Sequence, residues 1–171
     1  DSRPEVAVRF SNDRAEISAA LDGLRASGST ALYDSLIFAL HYFDGIKGQK
    51  ALLLLSDGLD EASRFGFEHA LHTARRAGVT LYAIGMKDLA HDYASRDVLR
   101  RLADATGGRT YFIEGPEELP GIYASIQEEL RSQYLLVYQS TSEKDESQFR
   151  RVEVRVTEKG AEVRTIAGYY P

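Results

Sequence analysis

The run Ala51 to Leu55, ALLLL, is apolar without alternation and stops abruptly at Ser56-Asp57-Gly58. A strand that is apolar at every position has to be covered on both faces, and that is the signature of a parallel sheet buried between helices. Its neighbours carry the complementary pattern. Upstream, Leu32, Ser35, Leu36, Ala39, Leu40 and Phe43 recur at three- and four-residue spacing, and Gly45 and Gly48 close that segment. Downstream, Phe67, Ala70, Leu71 and Ala74 stripe a second helix that stops at Gly78, and Val79 to Ile84 reads as another buried strand. Parallel strands need crossover connections, so this alternation predicts an α/β fold: a mainly parallel sheet with helices on both faces.

The alternation continues. Ser95 is placed to cap a helix carrying Val98, Leu99 and Leu102, Gly107-Gly108 ends it, and Thr110 to Ile113 makes a further strand. Pro116 opens a last helix striped by Leu119, Ile122, Tyr123, Ile126 and Leu130. At the start, Glu5 to Phe10 alternates with Val6, Val8 and Phe10 on one side, and Asn12-Asp13 reads as a hairpin turn into a returning strand, Ala15 to Ile17. Leu21 and Leu24 then space a brief helix that ends at Gly28. After Ser132 the texture changes to expected antiparallel strands, Tyr134 to Tyr138 and Arg151 to Val156, around a charged loop, Ser140 to Gln148. The division expected is an α/β domain over 1–132 and a β-extension over 133–171 packed on it. Leu36, Leu40, Leu53, Leu55, Leu71, Ile84, Leu102 and Ile126 are the expected core.

Composition removes several classes of function. Net charge is −5, and the 21 basic residues are scattered rather than gathered into a stripe able to neutralise phosphates, so nucleic acid is not an expected partner. No apolar run approaches the roughly 20 residues that span a bilayer. With no cysteine, disulfides, thiolate metal sites and cysteine nucleophiles are excluded. Neither G-x-G-x-x-G nor G-x-x-x-x-G-K-[ST] occurs, and no G-x-S-x-G elbow presents a serine.

In open α/β sheets, ligands sit beyond the carboxyl ends of the strands. Asp57 stands there, after the most hydrophobic strand, and Thr30 holds a comparable place at the start of a helix. A hydroxyl and a carboxylate suit a hard dication such as Mg²⁺, which prefers oxygen ligands in near-octahedral array. By residue type alone the commoner occupations are favoured over a metal site: an N-cap for Thr30 and a turn residue for Asp57. His69 and His72 share a helical face without a carboxylate partner, the pattern of a solvated face rather than a metal site. Tyr134, Tyr138, Tyr169 and Tyr170 fit an interface or the packing of the tail.

In order and spacing, VAVRFSNDRAEI, GSTALYDSL, ALLLLSDGLDEAS, ARRAGVTLYAIGM and LRRLADATGGRTYFIEGPEEL resemble the von Willebrand factor type A domain from its second strand onward. SQYLLVYQS and the closing GYYP resemble a bacterial subgroup with an appended β-segment. The resemblance implies a non-catalytic adhesion or scaffolding module that binds Mg²⁺ at a metal-ion-dependent adhesion site, with Thr30 and Asp57 as metal ligands. A protein partner would then complete the coordination with an acidic residue. It also implies a bacterial, secreted or extracytoplasmic setting.

The family's D-x-S-x-S loop is not found here, because Asp1, Arg3 and Glu5 put other residues at that spacing. The metal site is thus expected to be incomplete and Mg²⁺ binding weak or absent. The rival from another class is a small hydrolase or phosphotransferase using Asp57 at the same edge. The family's central strand would lie between the Val6 to Phe10 strand and the Ala51 to Leu55 strand. Without it the gap is closed by pairing of those two, by insertion of Tyr134 to Tyr138, or by a strand exchanged with a second copy. Exchange is the favoured closure, which makes a homo-oligomer the expectation.

Overall fold

The computed structural model describes residues 3–25, 27–86, 93–141, 148–160 and 163–171. Its centre is a parallel sheet of three strands in the order β1 (Ala51–Leu55), β2 (Thr80–Met86), β3 (Thr110–Ile113). Leu53 lies opposite Tyr82 and Ile84 opposite Tyr111. Helices α2 (Leu32–His41), α3 (Phe67–Ala77) and α4 (Tyr93–Ala105) accompany the strands, and after a 3₁₀ turn at Pro116–Glu118 the chain forms α5 (Leu119–Arg131).

The core forms where the helix stripes meet the sheet. Leu36, Ile37 and Leu40 of α2, Ala70, Leu71 and Ala74 of α3, and Leu102 and Ala105 of α4 pack with Val79 and Leu81. Alternation along β2 sends Tyr82 to the other side, where its hydroxyl donates to Glu129 of α5 at 2.8 Å. Of the expected core, Leu36, Leu40, Leu71, Ile84, Leu102 and Ile126 are buried. Leu53 is only half-buried, and Leu55 is 56% exposed. β1 is the outermost strand of the described sheet, so its outer flank lacks the neighbour that would cover these side chains.

The amino-terminal expectation is overturned. Glu5 to Phe10 forms no strand, and Ala15 to Ile17 lies inside a helix, α1 (Arg14–Asp22). The signal read as a hairpin turn is a helix cap: the Asp13 carboxylate accepts the N–H groups of Ala15 at 2.8 Å and Glu16 at 3.3 Å. Ser11 Oγ reaches the Glu16 carboxylate at 2.6 Å and fixes the entry further. With its returning strand consumed by a helix, the first segment has no ladder partner. It runs instead along an open groove of about 930 Å³ lined by Val6, Val8, Phe10, Phe38, Phe43 and Leu52, where Phe10 stacks on Tyr42.

Two further expectations fail. Ser95 does not cap α4 but is buried within it. Tyr134 to Tyr138 forms no strand and is 60% to 91% exposed, so it is not inserted beside β1; nor do Val6 to Phe10 and Ala51 to Leu55 pair. The tail's pairing shrinks to β4 (Arg150–Arg151) against β5 (Gly168–Tyr169), antiparallel as expected in hand but much shorter than Arg151 to Val156. Much of the Ser140 to Gln148 loop, at 142–147, lies outside the described residues.

The tail nevertheless touches the helices: His72 meets the Tyr170 ring, Arg75 lies over Phe149, and the Ala167 N–H donates to the Ala105 carbonyl.

Candidate functional site at the carboxyl edge of the sheet

β1 ends by giving its last ladder bond from Ser56 N–H to the Ile84 carbonyl. The chain then turns twice within four residues. Ser56 Oγ accepts the Gly58 N–H at 3.0 Å, and the Asp57 carboxylate accepts the Leu59 N–H at 3.0 Å. These local bonds turn the chain away from the sheet and leave Asp57 exposed at its rim. Gly58 permits the turn, with φ of +82° and its α-carbon packed against Ser95 of α4.

The second loop is stitched to the first. The Thr30 carbonyl accepts N–H groups from Glu61 at 2.8 Å and Ala62 at 3.0 Å, and the Thr30 N–H is 3.3 Å from the Glu61 carboxylate. One turn on, Asp60 accepts the Tyr33 N–H, Ser63 Oγ accepts the Asp34 N–H, and the Ser63 hydroxyl donates to Asp60. Asp34 returns the exchange by accepting the N–H groups of Arg64 and Phe65 at 3.1 Å. Those two N–H groups, Phe65 foremost, hold the Asp34 carboxyl below the usual aspartate range. Burial, followed by the nearby Asp60 charge, pushes the Tyr33 phenol up.

The loops bearing Thr30 and Asp57 are thus cross-linked through backbone, with both residues exposed at the same edge. Asp34, Asp60 and Ser63 do the stitching, and the sequence reading missed them. A D-x-x-S run after a buried strand is a turn signal, but its partner, the start of α2, is remote in sequence. Hard oxygen donors are present at Thr30 and Asp57, yet among the described residues no group of three or more Asp, Glu, His or Cys side chains is arranged to hold a metal ion. Two protein oxygens fit Mg²⁺ in kind and fall short of its octahedron in number. Arg3 and Glu5 add no ligand loop, and Asp1 lies outside the described residues.

His69 and His72 are separately engaged, His69 stacked on Phe65 at 4.4 Å and His72 against Tyr170 at 4.9 Å. Ser56 spends its oxygen on the Gly58 N–H, and no histidine bonds to it among the described residues.

A family model for the von Willebrand factor type A domain matches residues 1–125. The chain belongs to that family. Von Willebrand A domains have a Rossmann-like α/β fold and are generally non-catalytic protein-interaction or adhesion modules. No curated protein matches the chain. Among solved structures, a chain of an uncharacterized membrane spanning protein from Vibrio fischeri is similar, at 23% identity over 69% of this chain and 67% of that one, with a TM-score of 0.42. Among the described residues, no helix of this von Willebrand A domain is long and apolar enough to cross a membrane.

Proposed function

We propose that this von Willebrand A domain binds a protein partner at the carboxyl edge of its sheet, with Thr30 and Asp57 contributing oxygens to a Mg²⁺ ion whose shell an acidic residue of the partner completes. The observation that carries the reading is the pair of hydrogen bonds from the Glu61 and Ala62 N–H groups to the Thr30 carbonyl, which holds the loops of Thr30 and Asp57 at one edge. Mg²⁺ would supply electrostatic attraction for a carboxylate there. The chain's own residues position the edge: Gly58 makes the turn that exposes Asp57, and the Asp34 and Asp60 bonds lock the start of α2 to the loop after β1. With only two protein oxygens the affinity is low, because water must fill the remaining positions.

Manganese is the probe that tests this at low affinity, because its unpaired electrons broaden nearby amide signals even when binding is weak. Titrating Mn²⁺ into the isotope-labelled chain should broaden Thr30, Asp57, Gly58 and Leu59 first, and Asp57→Ala should abolish that selectivity. Broadening centred elsewhere, or unchanged in Asp57→Ala, would remove the metal from this edge.

A further inference from the structure

At the other rim of the sheet, Phe112 of β3 lies beneath α4, beside Leu99 and over Gly85, whose missing side chain makes room for the ring. Two guanidinium groups converge on that ring. Arg96 stands 4.1 Å and Arg100 5.4 Å from its centroid, one helical turn apart on α4. Neighbouring Arg101 shows what an arginine here does when acids are within reach: it lies over Phe67 and pairs with Glu68 at 3.2 Å and Asp97 at 3.9 Å. Among the described residues Arg96 and Arg100 have no such partner, and Asp104, one turn beyond Arg100, pairs with neither. Among the described residues, two like charges share one ring and neither forms an ion pair.

Stacking fixes the geometry without consuming the donors. A guanidinium resting on an aromatic ring gives its face to the π cloud and keeps its in-plane N–H groups free, the arrangement that meets a carboxylate with two parallel hydrogen bonds. β3 is the last strand of the described sheet, and beside it Arg100 is exposed and Arg96 half-buried. Asp97 and Asp104 lie on the same helix, and Asp97 is engaged by Arg101.

We propose that Arg96 and Arg100, held over Phe112, form a carboxylate clamp that docks an acidic segment of a protein partner on the β3 rim, independently of the Thr30 and Asp57 edge and of any metal. The clamp goes beyond the metal-edge reading, and the two can fail separately.

The test is fluorescence anisotropy of a labelled hexaglutamate peptide with the whole chain in EDTA, with labelled hexalysine as the control and inorganic phosphate as competitor. Hexaglutamate should bind and hexalysine should not. The double variant Arg96→Ala, Arg100→Ala should weaken binding by about tenfold or more. Replacing both arginines by lysine keeps the charge and should still lose about threefold, because lysine offers no stacked fork. Phe112→Leu, checked for fold by circular dichroism, should behave like the lysine variant, and Asp57→Ala should bind as the parent does. No binding of hexaglutamate, parent-like affinity in the double alanine or double lysine variant, loss in Asp57→Ala, or displacement by phosphate at equal carboxylate concentration would each overturn the clamp.

Discussion

Gly58 turns with φ of +82°, and a β-carbon there would stand 2.5 Å from the Ser95 carbonyl oxygen. A side chain at this position meets both backbone strain and a clash, so Gly58→Ala should cost about 1 to 3 kcal/mol in denaturant melts and loosen the loop that carries Asp57. A second residue-scale test lies under the sheet. Thr106 is buried; its Oγ1 accepts the Leu81 N–H at 2.9 Å and donates to the Ala103 carbonyl at 2.9 Å. Thr106→Val keeps the shape and strands that N–H, at a cost of about 1 to 3 kcal/mol by the same measurement. Tyr82 gives a pH signature. Burial first, then its bond to Glu129, raises its ionisation well above the ordinary value of 10.0. The folded state therefore holds that proton more tightly, so the contribution is full below about pH 10 and lost as pH rises through the shifted value. Tyr82→Phe should flatten the alkaline limb of the stability curve; an unchanged limb would show that Tyr82 is not its source. Thr30 and Asp57 were legible as edge residues because strand ends and helix starts mark themselves in sequence. The Thr106 bond was not, since nothing local says that a threonine after α4 will satisfy a strand N–H some 25 residues earlier.

At the scale of elements, the helices with strong stripes and the consecutive parallel strands were readable, Thr110–Ile113 to the residue. Each is defined by a pattern that burial on a sheet enforces. The amino-terminal segment was misread because alternation over Val6, Val8 and Phe10 describes a strand only when a partner supplies the ladder, while Asp13 had a closer use for its carboxylate. The same reason undid Tyr134 to Tyr138. α1 has no buried residue and leans on its cap, so Asp13→Ala should melt it for about 1 kcal/mol. Hydrogen exchange should find α1 amides opening at far lower free energy than those of α3 and α4, where Ala70, Leu71, Leu99 and Leu102 are buried. In the core, Leu40→Ala on α2 should cost about 2 to 5 kcal/mol and Leu55→Ala on β1 much less, since Leu40 is buried and Leu55 is 56% exposed. Equal costs would mean that the outer flank of β1 is covered in solution.

For the whole molecule, the pattern of strand, helix and glycine stop carried the family, because five segments in order constrain topology more than any one motif does. What stayed beyond reach was the way the edge is finished: β1 is outermost among the described strands, and the carboxyl edge brings together the loops of Thr30 and Asp57 where the resemblance calls for three loops. Thr30 and Asp57 are proposed to form an incomplete Mg²⁺ edge. Calorimetric titration of Mg²⁺ into the 171-residue chain measures it most directly. The dissociation constant should be weaker than about 10⁻⁴ M, with the residual heat lost in Asp57→Ala. Micromolar affinity abolished by Asp57→Ala would contradict the incompleteness, and heat unchanged by Asp57→Ala would contradict the site.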